Sequence, residues 1–521
     1  MPGANATPVS PSPDGWRGTG RVCLGLLFGV TVLRCLALLA SPLELGVDEA
    51  QYWLWGTAFD FGYYTKPPLT SWIIALSHGI FGHHDWAVRM PAPWLHLATA
   101  LVLWRATIWT VEAGNATRDT TRDATGDATG PSGAAQRAGQ LAAVLWISLP
   151  AVSVGSFVIS TDTPLLLGWS TGLLGLIGVL SGRLAARRGM VLAGAGFGVA
   201  MLSKYAAIYG LVGLGLFMLL TRSRGQRTAI TPGGVLMFAL AMLIVASPNI
   251  LWNLAHELAT VRHLGDNANL DRQSYSIGNS LAFLSAQFAT AGPLVFALML
   301  GILRRRDSDP MHALLLCLSA PVIGVIMIQA FLSEANANWA LAAMPALVVW
   351  LASWLAGQLA NGRRWLALAA PGINLGIAAL LLAVTAAGTL GPLTPASDPL
   401  RRLRGWQDLA VDTSAVLRRH GSSTVIADRR ATAALLSWHF HGGGIEVLVH
   451  DADGMPSNHF EQNMAWQPAP GRRLVVIDGN AEPPALPDMI WSDGTPVMSQ
   501  TEISARRKRT LYLHSAVEAQ E

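Results

Sequence analysis

The sequence predicts an all-α polytopic membrane protein that carries a small α/β domain at its C-terminal end. Hydrophobic residues make up 51% of the 521 residues and charged residues 13%. Soluble globular chains carry about 25% charged residues, so the chain is depleted in charge by roughly half. The apolar residues are also gathered into runs of about 20, which is the length that crosses the hydrocarbon core of a bilayer. These observations exclude an ordinary soluble protein.

We predict about eleven membrane spans. The runs are 22–41, 91–112, 139–158, 164–182, 189–203, 206–221, 231–250, 281–303, 312–332, 338–357 and 366–390. The first run is longer than a signal-peptide core of about 7–15 residues and continues into an acidic loop, so we predict an uncleaved span. Arg34 lies within it and faces either the bundle interior or a lipid phosphate.

Basic residues set the predicted topology. Arginine clusters such as 183–188, 222–227 and 304–306 fall at alternate ends of the spans. The positive-inside rule places these loops in the cytoplasm. The N-terminal tail, 1–21, is then cytoplasmic, and an odd number of spans puts residues 391–521 outside. Because the net charge of +4 arises from these short loops, we expect no nucleic-acid partner.

Three segments outside the spans have distinct compositions. In the outer loop 42–90, aromatic residues alternate with polar ones, which is typical of short helices that lie in the membrane interface. Pro67-Pro68 ends one such helix and the run 69–81 begins another. The inner loop 113–138 is rich in Thr, Asp, Gly and Ala, so we predict a flexible cytoplasmic linker.

The tail 391–521 alternates short β-rich runs with helical stretches, which indicates a small α/β domain. The predicted strands are 424–427, 445–449 and 474–478, and the predicted helices are 403–419 and 430–438.

The polar clusters that are not rich in arginine all fall on the outer face in this topology. Charge at a membrane surface is costly unless it has a function, so their convergence predicts one site at the outer leaflet. The clusters are Asp48-Glu49, Lys66-Pro67-Pro68, the turn 160–164, Ser203-Lys204-Tyr205, the segment 247–267 and the segment 333–339.

These motifs resemble those of the bacterial GT-C glycosyltransferases, in the branch of the protein O-mannosyltransferases and the aminoarabinose transferases of lipid A. The resemblance covers about residues 20–350 and is strongest in 44–72. Its further motifs are Thr161-Asp162-Thr163-Pro164, Ser247-Pro248-Asn249, Trp252-Asn253 and Asn336-Ala337-Asn338-Trp339.

The resemblance implies a GT-C-like catalytic domain over 22–390 in a bacterial inner membrane, with the C-terminal domain in the periplasm. It also implies transfer of a sugar from a polyprenyl-phosphate donor to a hydroxyl or phosphate of the cell envelope. The acceptor would be a lipid, a polysaccharide or a protein, and membrane lipid would surround the site. Modification of lipid A is one such reaction.

Glycosyl transfer with inversion needs a base for the acceptor proton and a cation for the departing phosphate. We predict Asp48 as the base and Lys66 as a donor-phosphate ligand. The remaining predicted residues are Glu49 and Asp162 for catalysis; Lys204, Arg262 and His263 for the donor phosphate; and Tyr52, Tyr63, Asn249, Asn253, Glu334, Asn338 and Trp339 for substrate binding.

We expect no required cofactor. The three cysteines lie in apolar runs, and the sequence contains no His-Glu-x-x-His pattern. If a divalent cation is bound, His256 and Glu257 are its candidate ligands.

Each residue also has a structural interpretation. Asp48 and Glu49 could cap a helix, Asp162 could be an N-cap before Pro164, and Lys66 could anchor the chain at the interface. Asn249 and Asn253 could satisfy backbone groups, and Trp339 could belong to an aromatic belt. The alternative function is a membrane transporter or lipid flippase. That class would show inverted repeats and charges deep within spans. No repeat is evident, and apart from Arg34 the ionisable residues cluster at span ends. A non-catalytic scaffold would leave the outer charges unexplained.

Overall fold

The computed structural model describes residues 13–118, 133–258, 260, 275–305, 309–391, 398–451, 454, 458–492, 494–504 and 507–519. Helices dominate up to residue 387. They are α1 (Pro13–Ala40), α2 (Val47–Thr57), α3 (Leu69–Phe81), α4 (Asp85–Arg89), α5 (Pro91–Arg118), α6 (Gly133–Ser148), α7 (Pro150–Gly155), α8 (Asp162–Leu180), α9 (Ala186–Met201), α10 (Ile208–Ser223), α11 (Pro232–Ala255), α12 (Ile277–Ala291), α13 (Pro293–Leu303), α14 (Pro310–Cys317), α15 (Ala320–Leu332), α16 (Met344–Ala360) and α17 (Arg364–Ala387).

The helical membrane architecture is confirmed, and each predicted span coincides with a helix or a pair of helices. Among the described residues, seven helices are long and apolar enough to cross a membrane, or eight if one bent pair counts as a span. The number of eleven therefore stays a prediction. The other three predicted spans correspond to α5, α6 and α9, which are not among these helices. Helix α5 has 28 residues, and α6 and α9 have 16 each.

Three predicted spans are not single helices, and one of them, 312–332, is divided between α14 and α15. The run 281–303 is the bent pair, since α12 and α13 meet at an angle of 115°. Gly292 at the corner has φ of +91°, and the following Pro293 cannot continue a helix. The run 139–158 breaks in the same way before Pro150, so its helix is α6, which begins earlier, at Gly133. The predicted linker 113–138 is likewise helical at both ends, and its centre lies outside the described residues.

Arg34 of the first span faces the bundle interior, at the break between α6 and α7. Its Nη2 donates to the backbone oxygen of Ile147 at 2.7 Å and to Ser153 Oγ at 2.9 Å. Its Nη1 donates to Ser156 Oγ at 3.1 Å. A broken helix leaves carbonyl oxygens unpaired, and hydrocarbon offers them no partner. Arg34 supplies one, so its burial is structural.

The helices α8 and α9 pack with their backbones almost in contact. A Cβ atom added at Gly196 would lie 2.5 Å from the backbone nitrogen of Gly172. Small residues at such spacings permit close packing in membrane bundles, where lipid provides no hydrophobic drive for association. This pair fixes the ends of α8 and α9, which carry Asp162 and Lys204 respectively.

The tail contains a mixed sheet flanked by helices, as predicted. Its elements are α18 (Trp406–His420), β1 (Thr424–Ala427), α19 (Arg430–His439), β2 (Glu446–Val449), α20 (His459–Asn463), β3 (Arg473–Asp478), β4 (Met489–Trp491), β5 (Val497–Ser504) and β6 (Arg507–Glu518). The sheet order is β2-β1-β3-β6-β4, and β5 also pairs with β6. The first three strands are parallel and the last three are antiparallel to their partners. The three predicted strands are found, whereas β4, β5 and β6 were not predicted.

The first loop and the tail share one hydrophobic core. Buried residues of α2 and α3, including Trp53, Trp55 and Ile74, pack in the same cluster as Trp438 and Phe460 of the tail. The carboxylate of Glu44 adds a polar joint, because it accepts backbone N–H bonds at the N-terminus of α18. The loop 42–90 is therefore a rigid layer between the bundle and the C-terminal domain.

His459 makes this interface sensitive to acid. It packs edge-on against Trp55, and burial lowers its pKa from 6.5 to about 4. The unfolded chain then binds more protons than the folded chain between those two values, so the free energy of unfolding falls as the pH falls through this window. The slope is about 1.4 kcal/mol per pH unit.

We expect His459→Gln to reduce the acid destabilisation of the purified protein, measured as the unfolding temperature in detergent between pH 7 and pH 4. His420→Gln, at a half-buried histidine of the same domain, is the matched control and should keep the wild-type dependence. Equal acid sensitivity of all three proteins would contradict this assignment.

Candidate functional site

Helix α2 directs its two acidic residues to opposite environments. Successive residues on a helix point about 100° apart, so Asp48 and Glu49 cannot share one face. The side chain of Asp48 is 63% exposed, whereas that of Glu49 is 1% exposed. The acidic pair therefore divides into one accessible carboxylate and one buried carboxylate.

Every contact of Glu49 is structural. Arg89 donates Nε to Oε1 at 2.9 Å and Nη2 to Oε2 at 2.7 Å, in a buried two-point ion pair. The backbone nitrogen of Gly46 reaches Oε2 at 2.8 Å, and that of Ile159 reaches Oε1 at 3.0 Å. These bonds cap α2 and join it to α4 and to the turn before α8. The geometry gives Glu49 a positioning role.

Asp48 faces a residue of the C-terminal domain. Its carboxylate forms an ion pair with Arg430 at the start of α19, and the same guanidinium donates Nε to Gln51 Oε1. The Nε2 of the buried Gln51 has no hydrogen-bond partner among the described residues. The C-terminal domain thus contributes a cation directly to the predicted catalytic carboxylate.

Asp162 lies at the first position of α8 and holds two predicted site residues. Lys204 Nζ approaches Asp162 Oδ1 at 2.8 Å, and Asn338 Nδ2 donates to Asp162 Oδ2 at 2.7 Å. Thr161, and not Asp162, occupies the N-cap position, and no side-chain capping bond forms there. The side chain of Asp162 therefore connects α8, the end of α9 and the segment after α15.

Lys66 interacts electrostatically with Asp48 and Asp162 but forms an ion pair with neither. Within the described residues, no carboxylate oxygen is within 4 Å of its Nζ. Burial lowers the pKa of Lys66, Lys204 lowers it further, and Asp48 and Asp162 act in the opposite direction. An anion that binds beside such an amino group stabilises its charged form.

Tyr52 connects the two halves of this charged cluster, which comprises Asp48, Lys66, Asp162, Lys204 and Arg430. Burial raises its pKa well above 10, and both Asp48 and Asp162 raise it further. The cluster holds three cations and two carboxylates, a net charge of +1. The whole chain has three lysines among its 36 basic residues, and two of them lie here. Lysine is a compact point charge suited to phosphate.

Tyr63, Asn249 and Asn253 do not join the charged cluster but hold the loop that presents Lys66. Asn249 Nδ2 donates to the backbone oxygen of Phe61 at 2.9 Å, and Asn253 Nδ2 donates to Tyr205 Oη at 2.8 Å. Tyr63 stacks on Trp55 with ring centroids 5.0 Å apart, and its Oη donates to the backbone oxygen of that residue. Asn249 thus satisfies a backbone group, and the substrate-binding roles of these three residues stay predictions.

The remaining predicted residues have other surroundings. Glu334 is exposed in the segment after α15, and Trp339 packs partly against the bundle core. His256 stacks on Trp252 at 4.1 Å, and the adjacent Glu257 is exposed. Arg262 and His263 lie outside the described residues.

Two polar residues at the cluster, Arg430 and Gln51, were not predicted. Gln51 is one helical turn after Asp48, so its spacing could have indicated a shared face. Arg430 lies 382 positions from Asp48 in the chain, and no local pattern in the sequence indicates their contact.

We predict that Glu49→Gln destabilises the protein, because removal of one partner of a buried ion pair costs about 3–5 kcal/mol. The unfolding temperature in detergent should fall, whereas Glu482→Gln, at an exposed glutamate, should leave it unchanged. A Glu49→Gln protein with wild-type stability and no activity would contradict the positioning role and restore a catalytic one.

Comparison with known proteins agrees with this architecture. Residues 134–252 match the family described as Dolichyl-phosphate-mannose-protein mannosyltransferase. The lipid A galacturonosyltransferase RgtD of Rhizobium johnstonii is 31% identical over 467 residues, which cover 87% of this chain and 90% of that protein. The crystal structure of ArnT from Cupriavidus metallidurans bound to undecaprenyl phosphate superposes with a TM-score of 0.62. It is 15% identical, and the match covers 97% of this chain and 98% of that one.

The ArnT structure in the apo state gives a TM-score of 0.58 at the same identity, over 96% of this chain and 98% of that one. The likeness to ArnT shows the fold, and the identity to RgtD over nearly its whole length shows the family. The chain therefore belongs to the bacterial GT-C glycosyltransferases and is a membrane-embedded glycosyltransferase of the family that includes the lipid A galacturonosyltransferase RgtD.

Proposed function

We propose that this glycosyltransferase moves a sugar from a polyprenyl-phosphate donor to a lipid acceptor of the lipid A class, on the periplasmic face of the bacterial inner membrane. The observation that carries the proposal is that Lys66, in a cluster with a net charge of +1, forms no ion pair with a carboxylate of the described residues. One phosphate of the donor neutralises that charge. The C-terminal domain covers the same face, which is then periplasmic, and the N-terminus is cytoplasmic.

The cation arrangement favours a phosphodiester. Lys204 is already neutralised by Asp162 at 2.8 Å, so we assign the donor phosphate to Lys66 among the cations of the described residues. The unpartnered Nε2 of Gln51 offers a further donor close to Asp48. Arg262 and His263 remain predicted ligands outside the described residues.

Asp48 is proposed as the general base. The acceptor hydroxyl attacks C1 of the donor sugar while Asp48 accepts its proton, and the bond between C1 and the phosphate oxygen breaks. The polyprenyl phosphate leaves with the electron pair, and Lys66 stabilises its charge. The 63% exposure of Asp48 gives an acceptor access to it.

The ion pair with Arg430 does not block this role. Exposed ion pairs contribute about 0–1 kcal/mol, so opening this one costs little. Arg430 can then pair with the donor phosphate. Tyr52, Asn338 and Asp162 lie on the substrate side of the cluster. Asp162 holds Lys204 and Asn338 in place as a positioning residue.

The names of the two relatives indicate which substrates to test first. RgtD is named for lipid A and galacturonic acid, and the ArnT structure contains undecaprenyl phosphate. A polyprenyl-phosphate uronic acid is therefore the first donor to test with this chain, and lipid A is the first acceptor.

The transfer assay uses detergent-purified protein, polyprenyl-phosphate sugars labelled in the sugar, and lipid A. We expect Asp48→Asn to lower transfer by about 10²–10⁴-fold, the contribution of general base catalysis, without changing stability. Asp408→Asn, an exposed aspartate of α18, is the matched control and should keep wild-type activity. Near-normal transfer by Asp48→Asn would overturn the assignment of the base.

Lys66→Ala should weaken binding of undecaprenyl phosphate by roughly 10- to 100-fold, the value of one hydrogen bond to a charged group. Lys508→Ala, at the exposed third lysine, should bind the lipid like the wild type. Native mass spectrometry of the protein–lipid complex in detergent measures the affinity of both variants for undecaprenyl phosphate. Unchanged affinity of Lys66→Ala would make Lys66 an interface anchor.

A further inference from the structure

Three histidine side chains meet where the loop 42–90 contacts the C-terminal domain. His78 is in the last turn of α3, His83 follows α3, and His441 follows α19 of the C-terminal domain. One ring nitrogen of each lies within 4.8 Å of one ring nitrogen of each of the others. His78 is half-buried, and His83 and His441 are exposed, so an ion from solvent can reach them.

The geometry of the first two histidines fits one metal ion. His78 Nε2 and His83 Nδ1 are 3.2 Å apart. Two imidazole nitrogens bound to one tetrahedral zinc ion at 2.0–2.1 Å are separated by about 3.3 Å. The third nitrogen, on the exposed His441, lies within 4.8 Å of the other two and would move closer on binding, and water can take the fourth position.

A backbone carbonyl outside the three histidines fixes the tautomer of His83. Its Nε2 lies 3.0 Å from the backbone oxygen of Trp438. A carbonyl oxygen only accepts hydrogen bonds, so Nε2 carries the proton and Nδ1 presents its lone pair towards His78. Metal-binding histidines in proteins are held in this way, with the second nitrogen donating to a carbonyl or carboxylate.

Aromatic rings orient the cluster further. Trp53 of α2 contacts all three imidazoles, with ring centroids 5.9 Å from His78, 5.4 Å from His83 and 5.1 Å from His441. His83 also stacks on Trp438 at 3.7 Å. The rings therefore have little freedom to turn away from one another, which reduces the entropy that metal binding would cost.

We propose that His78, His83 and His441 form a structural site for a transition-metal ion of the zinc class, which clamps the C-terminal domain onto the first loop. Neutral imidazoles suit zinc, copper and nickel, whereas magnesium prefers oxygen ligands. Because α19 carries both Arg430 and the turn with His441, the bound ion also fixes the position of Arg430 beside Asp48. The site lies apart from His256 and Glu257, the pair predicted from the sequence.

The test titrates the EDTA-stripped, full-length protein in detergent with ZnCl₂ by isothermal calorimetry and follows the unfolding temperature. Wild type should bind one Zn²⁺ per chain and unfold at a higher temperature with zinc. His441→Ala and His78→Ala should lose at least the roughly 10–100-fold in affinity that removal of an outer partner costs. His420→Ala is the matched control, at a histidine of the same domain outside this cluster, and should behave like wild type.

The unfolding temperature in EDTA separates loss of metal from loss of fold, because all four proteins should then unfold together. The proposal is overturned if His441→Ala binds Zn²⁺ as tightly as wild type, if wild type binds none, or if MgCl₂ raises the unfolding temperature as much as ZnCl₂. None of these readouts involves sugar transfer, so the result is independent of the proposed reaction.

Discussion

The buried ion pair of Glu49 and Arg89 is the constraint on which the candidate site depends. Glu49 receives two bonds from Arg89 and one each from the backbone nitrogens of Gly46 and Ile159. The bonded residues belong to three different segments, which are the start of α2, helix α4 and the turn that leads to α8. Fixing Glu49 therefore fixes Asp48, its neighbour in sequence, relative to Asp162 at the start of α8. A buried pair of this kind is strongly destabilising when broken, which makes it a rigid reference for the exposed carboxylate beside it.

Near the Glu49–Arg89 pair, some charged residues of the cluster are paired with an opposite charge and one is not. Asp162 neutralises Lys204 and Arg430 neutralises Asp48, while Lys66 has no carboxylate within ion-pair distance in the described part of the chain. The loop that presents Lys66 is held by α11, through Asn249 and through Trp252, whose Nε1 donates to Asp60. Gly62 allows this close approach, since a Cβ atom there would lie 2.3 Å from the indole of Trp252. A half-buried cation in a rigid loop is preorganised for an anion and does not reorganise on binding.

Much of this arrangement could be predicted from the sequence, for physical reasons. Alternating arginine clusters predicted which loops share a membrane face. In the structure, Asp162 pairs with Lys204, and Lys66 interacts electrostatically with both and with Asp48. The bends at Pro150 and Pro293 were missed because hydropathy registers an apolar run and not its direction. Arg430 could not be predicted, because its place depends on packing between aromatic residues of the first loop and the tail. The separation of Asp48 from Glu49 follows from helix geometry once α2 is known, but which carboxylate is buried depends on the distant Arg89.

The most direct test of the account is an electron cryo-microscopy structure of the full-length protein with undecaprenyl phosphate bound. The account predicts that the phosphate lies within hydrogen-bond distance of Lys66 Nζ, beside Asp48, with the Asp162–Lys204 pair and the Glu49–Arg89 pair unchanged. A phosphate held by other cations, with Lys66 still unpaired, would contradict the central claim that this cluster is the donor site.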